Sequence, residues 1–305
     1  MKILAILWFV VTACWATPVT VYLEGRLTST YAVLIVAQQA GLFAEQGLQV
    51  SLVAGRGEEE GNRQVVAGTA DFTISKLSSH LIRCCNHSLP LVRVATLIDR
   101  PLQCLIVQPK INSVAELKGK RLGYRASLGE IAPLKLATIL ANVNLKITDI
   151  TLVPLTSSLV PAFLSGDVDA VLGECCPYEL NNIYSHCSQV HIFYYEERGI
   201  DGYDPIIIIA HRHRPENVKA FVTALQRAVD LMHYSPEQSW KYYSQGVSEK
   251  ASYANKTIFM QIAPLLVKDV GLLSIEKYNR LAQFMKRSGI LTKDIPQSYA
   301  IDGSL

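Results

Sequence analysis

Short runs of β-branched residues alternate with longer stretches of helical period along most of this chain, and that alternation restricts it to a layered α/β architecture. Strand-like runs fall at 20–24, 49–54, 72–75, 92–98, 105–108, 121–125, 149–153, 170–173, 190–194 and 206–210. Helical patterns occupy 30–45, 58–67, 77–84, 128–142, 157–164 and 177–184 between them. After His211 only helical stretches follow, at 215–233, 236–243, 255–267 and 275–288. With 305 residues, half of them apolar and only 18% charged, the chain buries a sizeable core and is not disordered. The 29 basic and 26 acidic residues leave a charge of +3 and form no basic stripe, so nucleic acid is not an expected partner. The length suits two domains and directs attention to a cleft between them.

The first residues carry an address. Met1-Lys2, the apolar run 3–13 and small residues up to Ala16 have the three regions of a secretory signal, and the run is too short to span a bilayer. Cleavage after Ala16 would begin the exported chain at Thr17. Val11-Thr12-Ala13-Cys14 also resembles a lipobox, the alternative being a lipid anchor at Cys14. The remaining cysteines, Cys84, Cys85, Cys104, Cys175, Cys176 and Cys187, are even in number and would meet an oxidising compartment, but their pairing is not readable. The adjacent pairs lack the C-x-x-C spacing of a zinc or redox site, and no metal or cofactor is expected.

Two segments share one grammar. Gly68-Thr69-Ala70-Asp71 leads into the strand ending at Ser75, and Gly166-Asp167-Val168-Asp169 leads into the strand ending at Gly173-Glu174. Each glycine can stop a helix in the left-handed region, and small residues at the strand ends allow a ligand near the backbone. Carboxyl ends of strands face the crevice in open α/β sheets, so Ser75 and Glu174 are candidates from opposite lobes. Arg125 and Ser127 stand where a strand hands over to a helix, where Ser127 can cap the helix or hold an acceptor. Glu58, Glu59 and Glu60 read as dipole partners of a first helical turn. His211, Arg212, His213 and Arg214 read as a solvated strand terminus rather than a metal site.

The order of these segments resembles the solute-binding proteins of ABC importers, in the branch of nitrate, sulfonate and thiamine-pyrimidine binders. Val36-Ala37-Gln38-Gln39-Ala40-Gly41-Leu42-Phe43 through Val50 is similar to a helix-to-strand segment of that superfamily. Asp169-Ala170-Val171-Leu172-Gly173 leading to Tyr178-Glu179, then Glu196-Glu197-Arg198-Gly199 with Tyr203-Asp204, resembles the branch that binds pyrimidine precursors of thiamine. The resemblance implies a type II periplasmic binding protein: lobe 1 from 17–100 and 205–305, lobe 2 from 101–204, a helical tail, and crossovers near 99–104 and 199–205. It implies that Glu179 holds an aminopyrimidine, with two acceptors for an amino group and ring nitrogen. Gly25, Thr30 and Tyr31 stand where that branch has Trp, Asn and His, and Tyr31 is a candidate to stack on a planar ligand. Tyr178 and Tyr203 complete the expected site.

The expected function is binding without catalysis: an extracytoplasmic monomer that closes on a small heterocycle and presents it to a membrane permease. Fungal pyrimidine synthases share the fold implied, but their histidine and cysteine-rich loop correspond here to Tyr31 and to Asp201-Gly202-Tyr203-Asp204-Pro205, and no G-x-S-x-G, H-E-x-x-H or P-loop spacing occurs. A synthase, a binder of sulfonate or nitrate anions and a sensor lobe stay open as alternatives.

Overall fold

The computed structural model describes residues 16–25, 29–124, 131–155, 159–174, 177–187, 189–200, 202–214, 216–247, 253–296 and 298–302, with only the backbone described for Thr30, Glu174, 177–179, Tyr253 and Ala254. The signal and lipobox readings, Arg125 and Ser127 lie outside the described residues. The strands are β1 Thr17–Leu23, β2 Leu48–Ala54, β3 Phe72–Ser75, β4 Leu91–Ile98, β5 Gln103–Val107, β6 Arg121–Tyr124, β7 Thr151–Pro154, β8 Ala170–Glu174, β9 His191–Tyr194 and β10 Ile206–His211. The helices are α1 Ala32–Gln39, α2 Leu42–Glu45, α3 Glu58–Ala67, α4 Leu77–Cys85, α5 Ala132–Ala141, α6 Leu159–Leu164, α7 Pro177–Tyr184, α8 Val218–Tyr234, α9 Pro236–Gly246, α10 Tyr253–Ile262 and α11 Ile275–Arg287.

Two five-stranded sheets have one topology. The first is ordered β2-β1-β3-β10-β4 and the second β7-β6-β8-β5-β9. In each, three strands run parallel and the fourth in order, β10 or β5, is antiparallel to both neighbours. That antiparallel strand is the one delivered by a segment crossing from the other sheet. β10 reads Ile-Ile-Ile-Ile-Ala-His and is buried at all but His211, as a strand covered on both faces should be. One face of the first sheet packs on α1, α2 and α8, where Phe221 stacks on Phe43 at 5.3 Å and on Phe72 at 4.2 Å. Its other face shares a continuous apolar core with the second sheet, through Tyr22, Leu105, Tyr195, Tyr203 and Ile207. The far face of the second sheet packs on α6 and α7.

The repeated glycine grammar folds the same way twice. Gly68 and Gly166 both have φ +77°. Asp71 Oδ2 then accepts from Thr20 N at 2.7 Å midway along β1, and Asp169 Oδ2 accepts from Arg121 N at 3.1 Å at the first residue of β6. Each aspartate amide returns a bond to the same residue's carbonyl, at 2.9 and 2.8 Å. The single helix expected over 30–45 is instead a 3-10 turn, Ser29–Tyr31, followed by α1 and α2, because Gly41 breaks the run at φ +74°. The helix expected over 255–267 ends at Ile262, before Pro264 removes an amide.

Candidate functional site

Strand register places the site. Ile207 lies opposite Ser75 and Ile206 opposite Ile98, so β3 ends, β4 ends and β10 begins at one edge of the first sheet. Gln103 lies opposite Glu174, which puts the end of β8 and the start of β5 at one edge of the second. Only residues 99–102 separate these edges along the first crossover, so they lie within roughly 18 Å of each other. The carboxyl ends of the parallel strands of both lobes therefore face one cleft. α10 contacts both the Ser29–Tyr31 turn of one lobe and α7 of the other. Asn181 Nδ2 on α7 donates to Gln261 Oε1 on α10 at 2.8 Å, so the lobes touch across the mouth.

Ser75 and Glu174 end β3 and β8 at these edges, Thr30 lies in the Ser29–Tyr31 turn, and Tyr178 and Glu179 follow β8 in α7. Tyr178 and Glu179 are the second and third residues of α7, which starts three residues after β8 ends. The amide dipoles of that first turn favour an anion or acceptor. Ser75 is fully buried; its hydroxyl donates to Glu58 Oε1, which also accepts from Lys76 N at 3.1 Å. Glu58 thus does more than sit favourably at a helix start: it ties α3 to the end of β3. Tyr31 precedes α1 and is buried in the lobe core. Tyr203 is 3% exposed, and its hydroxyl accepts from Lys135 Nζ at 2.6 Å. Sequence reading missed Lys135, which also donates to Gln103 Oε1 at 2.8 Å, and Lys277, which donates to Asp204 Oδ1 at 3.1 Å. The signal for Lys135 was its helical spacing with the apolar Ile131, Ala132 and Ile139.

His211 and His213 have ring centroids 5.7 Å apart, and burial followed by the neighbouring Arg214, His213 and Arg212 holds the His211 imidazole below its ordinary pKa. Among the described residues no group of three or more His, Cys, Asp or Glu is placed to hold a metal. Cys104 is disulfide-bonded, its partner lying outside the described residues, while Cys84, Cys85 and Cys187 are free.

Residues 28–239 match the family described as NMT1/THI5 like. The chain belongs to that family. It is 30% identical to a Haemophilus influenzae protein named "Putative thiamine biosynthesis protein", over 93% of this chain and 91% of that one. It is also 23% and 22% identical to proteins of Uromyces fabae and Schizosaccharomyces pombe, each named 4-amino-5-hydroxymethyl-2-methylpyrimidine phosphate synthase, over 92% and 90% of this chain and 86% and 83% of theirs. These relatives correct the expectation that the chain is non-catalytic, since proteins named as enzymes match it over most of its length. The histidine that the resemblance assigns to the synthases corresponds to the core-packed Tyr31, and the donor set of their loop has no counterpart at 202–205, so no catalytic step is derived through such a group. Among solved structures, the aliphatic sulphonate binding protein of Escherichia coli superposes with a TM-score of 0.73 at 17% identity, covering 94% of this chain and 93% of that one. The alkanesulfonate-binding protein of Xanthomonas axonopodis pv. citri gives 0.68 at 18%, covering 93% and 98%. The fold is that of the periplasmic binding proteins: two α/β lobes around a cleft, with a helical C-terminal tail.

Proposed function

We propose that this protein binds a small heterocycle, an aminopyrimidine related to thiamine synthesis, by closing two lobes on it outside the cytoplasm, and delivers it to the permease of an ABC importer. The observation that carries the reading is the junction of β8 and α7, where Tyr178 and Glu179 occupy the first turn of a helix starting at the cleft edge. A carboxylate there offers two acceptors to an amino group and ring nitrogen, and an aromatic neighbour suits a flat ring. Thr30, Arg125 and Ser127 are proposed to complete the ligand shell. Contacts made by both lobes exist only when they are together, which supplies the differential affinity that closure needs. Lobe 1 is proposed to comprise 17–100 and 205–305, and lobe 2 residues 101–204.

Calorimetry against 4-amino-5-hydroxymethyl-2-methylpyrimidine, thiamine, alkanesulfonates and nitrate tests the reading. Binding of the pyrimidine with closure supports it, and binding of a ringless anion alone overturns it. The fungal relatives favour a second reading, turnover of a pyrimidine-forming substrate in the same cleft; product analysis of the same incubations measures it. The intact mass of exported protein should correspond to a chain beginning at Thr17, and a mass retaining the first 16 residues would overturn processing there.

A further inference from the structure

Two largely buried ammonium groups hold down the segments that pass between the lobes. The first segment is 99–102, between β4 and β5; the second is 195–205, between β9 and β10. On the side of lobe 1, Lys277 on α11 donates to the Asp99 carbonyl at 3.0 Å and lies 3.5 Å from its Oδ2, and also donates to Asp204 Oδ1 at 3.1 Å. On the side of lobe 2, Lys135 on α5 donates to Gln103 Oε1 and to Tyr203 Oη, and its Nζ lies 4.0 Å from the Tyr203 ring centroid. Lys277 therefore gathers one residue from each crossing segment, and Lys135 joins Tyr203 of the second to Gln103, the first residue of β5 just past the first. Tyr203 and Asp204 are consecutive, so neighbouring side chains on one strand of the hinge are held by opposite lobes.

Both ties are anchored below. Thr96 donates to Asp204 Oδ2 at 2.8 Å, and Arg93 donates to Thr96 Oγ1 at 2.8 Å, carrying the lobe 1 tie into the sheet. Lys135, Tyr203 and Gln103 are 2%, 3% and 6% exposed, so the lobe 2 tie is shielded from competing water. A cavity of about 710 Å³ opens beside Thr96, Asp99, Asp204 and Lys277, giving the segments room to move where a packed interior would block them.

We infer that Lys277 and Lys135 are hinge-positioning residues: their two ties confine lobe rotation to residues 100–102 and to the peptide joining Tyr203 to Asp204, and so set how far the ligand-free cleft opens. The inference rests on the reading of the chain as a binder that closes. It is tested without ligand, by hydrogen exchange of full-length protein together with small-angle scattering. In Lys277→Met, amides at 96–99 and 204–208 should exchange at least tenfold faster, and the radius of gyration should shift. Peptides from β1 and β6 should not change, and Lys277→Arg should restore most of the protection. Lys135→Met should do the same at 103–105 and 202–203. Exchange within twofold of the parent at both crossings in both methionine variants would overturn the inference. If Lys277→Met does not fold, Asp204→Asn removes the charge that holds the same tie while keeping its shape, and no rise at 204–208 counts against the inference. Absence of binding to any panel compound by the parent protein would sink the binding reading and leave the exchange result standing, so the two failures are distinct.

Discussion

Glu179 is the residue on which the proposed ligand turns. Glu179→Gln keeps the side-chain shape, removes the charge and replaces an acceptor by a donor. Hydrogen bonds to a charged group are worth ~1.5 to 3 kcal/mol, so pyrimidine affinity should fall roughly 10-fold to more than 100-fold. The melting temperature of ligand-free protein should stay within about 1 °C if Glu179 serves ligand binding alone; a fall in melting with unchanged affinity would remove Glu179 from the site. His80 makes the opposite kind of prediction. Burial, above all, then Arg212 and Arg93, lowers its pKa from 6.5 to about 4, although the Tyr299 carbonyl 2.7 Å away partly opposes the shift. The folded imidazole stays neutral while the unfolded chain takes up a proton below pH 6.5. Stability is therefore full above pH 6.5 and falls by about 3 kcal/mol down to pH 4. Urea titrations across that range should show the loss, and His80→Gln should reduce it. Such residues were hard to read in advance: little in the helices around Lys135, Lys277 and His80 sets them apart, and what makes them matter is a partner tens to hundreds of positions away. Arg93 left the clearest trace, a guanidinium inside the otherwise apolar run of β4.

Elements were far more legible than side-chain roles. Each of the ten expected strands corresponds to an observed one, since β-branched runs buried on one or both faces leave little choice of conformation. The breaks at Gly41 and Pro264 were overlooked because apolar spacing continues through both, and backbone chemistry overrides spacing at those points. The paired aspartates show that part of the repeated grammar serves the sheets. Asp169 is slightly buried, which raises its pKa, but the Arg121 amide and Lys110 more than offset this and hold its carboxyl below the usual range. Its contribution is thus present above the unfolded carboxylate range and is lost as pH falls through the lowered value. Asp71→Ala and Asp169→Ala should each cost about 1 kcal/mol in denaturant melts at neutral pH, and the Asp169→Ala loss should shrink in acid. α3 offers a sharper test. A Cβ on Gly61 would lie 2.2 Å from Thr73 Oγ1 and 3.2 Å from Thr73 Cβ, so Gly61→Ala should lift the helix off the sheet and destabilise by about 1 to 3 kcal/mol.

At the scale of the whole molecule, ligand binding and stability are linked. A solute at 100 times its Kd should stabilise the protein by about 2.7 kcal/mol, read as a rise in melting temperature. The Asn181–Gln261 bond joins the lobes at the mouth, so Gln261→Ala should speed ligand release by a few-fold with little change in unfolding. The C-terminal segment has a consequence for how the chain is made. Arg93, fully buried, donates to the carbonyls of Gly271, Leu272 and Ile301, and residues 299–301 lie along β4 with Arg93 N bonded to Tyr299 O at 2.9 Å and Ile301 N to Arg93 O at 2.8 Å. A ribosome makes β4 about two hundred residues before it makes those acceptors, while every strand of the second sheet emerges as one unbroken stretch. Emergence from the N-terminus onward, at a ribosome or a secretion channel, therefore completes the second sheet first and holds the first one unfinished, a guanidinium waiting in water, until residues 299–301 arrive. A chain stopped at residue 298 should keep an exchange-protected second sheet and lose protection throughout the first.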